Sequence, residues 1–173
     1  MELTMALGEP SAAASFEQWL IAFERPVLRL CYRLLGNAAD AEDAAQEVFL
    51  KAWRNRGHLD GRDPSPWLYQ IAVNTCRDHY RRRRPAGEIT GREEAPGCDP
   101  ESLAGRQERE AMVMEGLAGL GERERMALVL RDLEGLATAE VAVLMGVSEA
   151  TVRSQNAQAR AKLREWISKR MAR

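Results

Sequence analysis

The chain has almost no net charge, since 25 lysines and arginines stand against 26 aspartates and glutamates. That balance argues against a polypeptide that is basic throughout and makes the distribution of charge the informative quantity. Cysteine is scarce as well. Cys31, Cys76 and Cys98 are an odd number with no CxxC spacing, which fits a reducing compartment better than a disulfide framework. No apolar run is long enough for a bilayer, so membrane insertion is not expected. The opening MELTMALGEP carries two acids and no base, unlike a secretory leader, and the expected location is cytoplasmic. No stretch alternates apolar and polar residues as a half-buried strand does, so the expected fold class is all-α. A metal-ligand set is missing too: Cys76 and His79 lie three apart on one helix and His58 stands alone. Cys76 reads instead as a small core residue. Nothing beside Cys98 would activate a thiolate, so the sequence offers no catalytic residue, no cofactor and no enzyme.

What is present is a foldable, charged, helical chain. Hydrophobic residues make up 45% and charged residues 29%, enough for a core and unlike disorder. Residues 1–84 hold 12 basic and 11 acidic side chains, residues 85–108 hold 2 and 6, and residues 109–173 hold 11 and 9. The acid is concentrated in the middle. There PAGEITGREEAPGCDPESLAGRQE is rich in glycine and proline and has no sustained periodicity, so 85–108 reads as a flexible acidic linker. Two helical domains follow, at 12–84 and 109–173.

In the first, Ala41, Ala44, Ala45, Val48, Phe49, Ala52 and Trp53 recur at three- and four-residue steps and form one stripe of a helix. Asn37 and Asp40 offer capping side chains, and Gly36 ends the preceding helix, in which Pro26 should restart or kink the chain. Another helix begins at Ser65-Pro66, a capping serine with proline in the first turn, carries Leu68, Ile71, Ala72, Thr75 and Cys76 inward, and finishes in RRRR.

The second domain contains TAEVAVLMGVSEATVRSQNAQAR. Ala142 is followed four residues later by Gly146 and six further by Val152. A small residue lets two helices cross closely, glycine supplies a positive backbone angle, and an apolar residue anchors the second helix: a helix-turn-helix. Ser148 then caps the helix that would enter a major groove. In the first domain Arg77 and the run Arg81, Arg82, Arg83 and Arg84 lie close after Trp67, Tyr69 and Tyr80. Cations track a phosphate backbone and aromatics stack on unpaired bases.

Three segments together resemble an extracytoplasmic-function (ECF) sigma factor of the sigma-70 family: DAEDAAQEVFLKAWR at 40–54, PWLYQIAVNTCRDHYRRRR at 66–84, and LGERERMALVLRDLEGLATAEVAVLMGVSEATVRS at 120–154. The resemblance implies a transcription initiation subunit with core RNA polymerase and promoter DNA as partners, and an anti-sigma factor as a third. Asp40, Glu42, Asp43, Gln46 and Glu47 would face the β′ clamp of polymerase, and residues 109–173 the β flap. Asn74 would hold a base flipped from the melted −10 strand, with the loop Gly57 to Ser65 shaping its pocket. Arg77, Tyr80 and Arg81 to Arg84 would contact the same element, while Trp67 and Tyr69 pack. Ser148, Thr151, Arg153, Ser154, Gln155, Gln158 and Arg160 would read the −35 element. The linker would thread toward the RNA exit path. A second reading keeps the fold and changes the job, to a decoy that occupies an anti-sigma factor without initiating transcription.

Two departures from the family pattern bear on this. Leu120-Gly121 replaces a usual Leu-Pro and loosens a helix start. In SQNAQAR at 154–160, Gln155 and Gln158 stand near positions where relatives place arginine, and Asn156 stands where an aliphatic residue is usual. Asn156 is four residues after Val152, on the packing stripe, and an unpartnered buried amide there costs roughly 1–3 kcal/mol.

Overall fold

A computed structural model describes residues 12–58, 64–83 and 104–172, and among these every regular element is helical. Most of the expected linker, with Cys98, lies outside the described residues, as do Arg84 and loop residues 59–63.

Three helices build the first unit: α1 (Ala12–Leu35), α2 (Ala38–Arg54) and α3 (Ser65–Arg83). Helix α2 turns Ala41, Ala44, Ala45, Val48 and Ala52 inward, all buried. Small side chains at that spacing let its backbone approach its neighbours closely. Against them lie Leu30, Cys31 and Leu34 of α1 and Leu68, Ala72, Val73 and Cys76 of α3, each at most 1% exposed. Burying one such leucine or valine contributes about 1.5–3 kcal/mol. The connection between α1 and α2 takes its shape from Gly36 at φ +83°, whose N–H donates to the Tyr32 carbonyl at 2.9 Å. Asn37 then caps α2, accepting from the Asp40 N–H at 2.8 Å and donating back to the Asp40 carboxylate at 2.7 Å.

The expected restart of the helix at Pro26 does not occur, and the expected capping role of Ser65 is corrected. Helix α1 runs unbroken from Ala12 to Leu35 with Pro26 inside it. A proline removes one backbone donor, and the buried face of the following turns, with Val27, Leu30, Cys31, Leu34 and Leu35 packed, holds the helix across that gap. Helix α3 closes its first backbone bond from the Leu68 N–H to the Pro64 carbonyl at 3.0 Å, so Ser65 is already inside the helix.

The second unit comprises α4 (Ala104–Ala118), α5 (Glu122–Leu128), a π-turn at Val129–Leu133, α6 (Thr138–Met145) and α7 (Glu149–Met171). Helix α4 starts inside the segment read as linker, where AGRQE supplies mostly good helix formers ahead of the apolar stripe. Gly121 does begin α5 without a side-chain cap. The Glu124 carboxylate compensates by accepting the Gly121 N–H at 3.0 Å, and Lys162 of α7 holds that carboxylate at 2.8 Å.

The two units pack on each other through polar groups that neither sequence stretch advertises. Arg125, 5% exposed, donates to the Leu117 carbonyl of its own unit at 3.0 Å, to the Leu34 carbonyl of the first unit at 3.2 Å, and to the Tyr80 hydroxyl at 3.3 Å. Tyr80 in turn donates to the Leu34 carbonyl. Beside them the Glu134 carboxylate takes Arg33 at 3.1 Å and the Tyr69 hydroxyl at 3.1 Å. Gly36 also borders this junction: a Cβ at that position would sit 3.0 Å from the Arg125 guanidinium, which would have to shift by a few tenths of an ångström.

Candidate nucleic-acid interface

The outward face of α2 presents Glu42, Asp43 and Gln46, all exposed and, among the described residues, without side-chain hydrogen bonds. Asp40 is committed to the helix cap, and Glu47 is committed elsewhere. The Glu47 carboxylate gathers Lys51 at 2.8 Å, His79 at 3.3 Å and Arg82 at 3.3 Å. Lys51 foremost, with His79 and Arg82, holds its pKa at about 2 against the usual 4.5. Glu47 therefore ties α2 to the basic end of α3. Lys51 extends the tie by donating to the fully buried Thr75 hydroxyl at 3.0 Å.

That linkage has a pH signature. Because the folded pKa is depressed, the contribution is complete above the unfolded value near 4.5 and is lost as pH falls toward 2. Urea midpoints of the wild type and Glu47→Gln, compared across that window, should converge as pH drops and separate by neutral pH. A constant difference at every pH would remove Glu47 as the cause.

Helix α3 places Asn74 on its exposed face, next to the buried Thr75. Arg77 is half-exposed, Arg81 lies 4.0 Å from Asp78, and Arg82 reaches Glu47 and the Asp78 carbonyl. Arg83 ends the helix. Tyr80 does not share this surface: its hydroxyl is engaged at the contact between units, and burial raises its pKa. Tyr69 packs as expected, with its pKa pushed up to about 12 by burial and by Glu134. Cys76 is fully buried, and its thiol pKa is raised by a hydrogen bond with Cys31 and by burial. Among the described residues no group of three His, Cys, Asp or Glu side chains comes together. No described helix is long and apolar enough to cross a membrane.

The helix-turn-helix is built by α6 and α7. Ala142 is 8% and Val152 1% exposed where the helices cross, Gly146 takes φ +66°, and Ser148 accepts the Thr151 N–H at 3.1 Å. The Thr151 and Ser148 hydroxyls also bond each other at 2.8 Å. Arg153 pairs with Glu149 at 2.6 Å. Arg160 grips Asp132 of the π-turn through two bonds, at 2.8 and 2.7 Å, which lowers the Asp132 pKa. Ser154 and Gln158 are exposed and Gln155 is half-exposed.

Asn156 is half-satisfied rather than orphaned. Its Nδ2 donates to Asp132 at 3.3 Å, while its Oδ1 is buried without a partner. A buried unsatisfied acceptor costs on the order of 1–3 kcal/mol, so Asn156→Leu should stabilise the protein by about 1 kcal/mol. The thermal midpoint should rise by roughly 2–4 °C. A melting curve unmoved or shifted down would show that the Asp132 bond outweighs the orphaned oxygen.

Asp132, Arg125 and Glu134 are the functional-region residues the sequence did not reveal. Each acts on a residue between 24 and 101 positions away, and spacing rules see only one or two helical turns.

Comparison with known proteins places this geometry. The profile of Sigma-70 region 2 matches residues 19–86, and that of Sigma-70, region 4 matches residues 110–163. The RNA polymerase sigma-H factor of Pseudomonas aeruginosa is 35% identical over 84% of this chain and 82% of its own length. The ECF RNA polymerase sigma factor SigW of Bacillus subtilis is 30% identical over 84% of each chain. Among solved structures, the sigma factor RpoE of Bartonella quintana, in complex with the anti-sigma factor NepR, superposes with a TM-score of 0.71 over 89% of this chain and 97% of that one, at 21% identity. This last likeness is one of fold.

Proposed function

The chain belongs to the sigma-70 family as an RNA polymerase sigma factor of the ECF type, and we propose from its surfaces how it directs core polymerase to promoters. Residues 12–84 act as the unit that binds core polymerase and opens the −10 element. Asp40, Glu42, Asp43, Gln46 and Glu47 meet the β′ clamp, with the three uncommitted side chains making first contact. Asn74 holds a flipped base, and Arg77 with Arg81 to Arg84 follows the melted strand. Residues 109–173, with α4 reaching back to Ala104, meet the β flap and the −35 element. Segment 85–108 connects them toward the RNA exit path. The protein acts in the cytoplasm and adds no catalytic step, since polymerase performs the reaction.

The observation that carries this reading is the pair of outward faces in chain order, Glu42-Asp43-Gln46 on α2 and Ser154-Gln155-Gln158 on α7, on two units that each match a sigma region. The packed arrangement is the free state. It engages the Tyr80 hydroxyl and lays the second unit against α1 and α3. Polymerase binding separates the units, so that each meets one promoter element, with phosphates supplying affinity and a few side chains supplying choice. An anti-sigma factor holds the chain inactive; the Bartonella quintana factor of this fold was solved with one. Run-off transcription with core polymerase, followed by mapping of RNA 5′ ends, tests the reading. Discrete start sites are expected, and failure to bind core or to initiate anywhere overturns it.

A further inference from the structure

Five of the six exposed cations of α7, Arg153, Arg160, Lys162, Lys169 and Arg170, are each paired with a carboxylate of this chain, so much of the positive charge that usually marks a DNA-binding helix is already neutralised. At 3.6 residues per turn, Val152, Asn156, Ala159 and Leu163 share the packed face, with Val152 and Ala159 fully buried. The opposite face is a ridge of small exposed side chains, Ala150, Ser154, Ala157 and Ala161. Thr151, Gln155 and Gln158 form one flank of the ridge. Arg153 and Arg160 form the other, and both are already held by carboxylates of this chain, Glu149 and Asp132. Among the described residues neither glutamine amide makes an intramolecular hydrogen bond.

The chemistry of base edges then decides what such a surface prefers. A guanidinium matches the two acceptors N7 and O6 of guanine, whereas a carboxamide, with one donor and one acceptor, matches N7 and N6 of adenine. Small side chains let the helix approach closely and leave alanine methyls to touch thymine methyls. The arginines can exchange their carboxylates for phosphates, but phosphates carry no sequence choice. Gln155 and Gln158 lie three residues apart, about 4.5 Å along the axis, against about 3.4 Å per base step, so they address neighbouring base pairs.

We propose that Gln155 and Gln158 are specificity-determining residues that select adenines at two neighbouring base pairs of the upstream promoter element. The inference rests on the sigma reading above and adds to it which bases are chosen. Its test uses the full chain with core polymerase on templates randomised across the upstream element, with sequencing of the initiated RNAs. The expected result is adenine enriched at two neighbouring positions. Gln158→Ala should erase the enrichment at one of them and leave the other intact, and Gln158→Arg should convert it to guanine, a switch of about 5- to 150-fold for a bidentate pair. Guanine or no preference at both positions in the wild type overturns the inference and leaves the sigma reading standing. So does a Gln158→Ala variant that weakens all templates equally, because a merely structural side chain acts on every sequence alike. No initiation on any template overturns the sigma reading and this inference with it.

Discussion

Arg125→Ala should be among the most damaging single truncations in the chain, lowering stability by about 3 kcal/mol, on a par with truncating a fully buried leucine. Arg125 is 5% exposed and forks to the Leu117 and Leu34 carbonyls and the Tyr80 hydroxyl. Hydrogen bonds from a charged group are worth roughly 1.5–3 kcal/mol, and the truncation loses three of them at once, although the Leu34 carbonyl keeps the Tyr80 hydroxyl and the Leu117 carbonyl keeps the Leu120 N–H. For a chain of this length that corresponds to a drop of about 6–12 °C in the thermal midpoint. Lysine should not rescue, because one ammonium cannot reproduce three directions fixed by a planar fork.

The same variant separates two roles of this side chain. The bond to Leu117 is internal to the second unit, whereas those to Leu34 and Tyr80 join the units. Tyr80→Phe removes only the hydroxyl at that junction and should cost about 1 kcal/mol. Small-angle scattering below the new midpoint should then show a larger radius for Arg125→Ala than for the wild type, with Tyr80→Phe between them. An unchanged midpoint and an unchanged radius would mean that Arg125 holds neither unit nor junction. Glu134, with Arg33 and Tyr69 on its carboxylate, is the second fastener of the junction and keeps part of the closed population in either variant.

Helix-scale features could be read from the sequence because their causes are local. The alanine stripe of α2 is a periodicity within one helix, the Asn37 cap is three residues from its donor, and the turn at Gly146 needs only a residue free to take positive φ. Pro26 shows where locality fails: its cost is local, but the burial that holds α1 together comes from α2 and α3. The π-turn fails in the same way. Its extra residue, marked by the Glu134 N–H bonding the Val129 carbonyl at 2.9 Å, sets Asp132 toward α7 and Glu134 toward the first unit. No spacing rule contains that placement.

For the candidate site, α2 and α7 were legible as surfaces, but not the commitments of individual charges on them. Glu47 sits on the polar side of α2, as its sequence position requires, yet its partners come partly from α3. Arg160 lies beyond the helix-turn-helix where a phosphate contact is expected, and a carboxylate 28 residues earlier already holds it. Charge counted along the sequence therefore overstates the charge available to DNA.

Replacing Arg81, Arg82, Arg83 and Arg84 together with alanine should reduce open-complex formation by about 100-fold at physiological salt, while core binding falls far less. Each phosphate contact on a single strand contributes a slope of about 0.7 in log affinity against log salt, so the slope itself should shrink by about 3. Part of this charge is already spoken for, since Arg82 lies 3.3 Å from Glu47 and Arg81 4.0 Å from Asp78. Both arginines are more than half exposed, and exposed pairs are worth only about 0–1 kcal/mol, so a phosphate can replace the carboxylate at little cost. Glu47 keeps Lys51 and His79 after Arg82 is removed, which is why the α2 face should continue to bind core. Filter binding to core and permanganate footprinting of the melted strand measure the two effects separately. Equal losses in both would place the run on polymerase instead of DNA. A salt slope that did not change would mean that these cations never displace counterions from the strand.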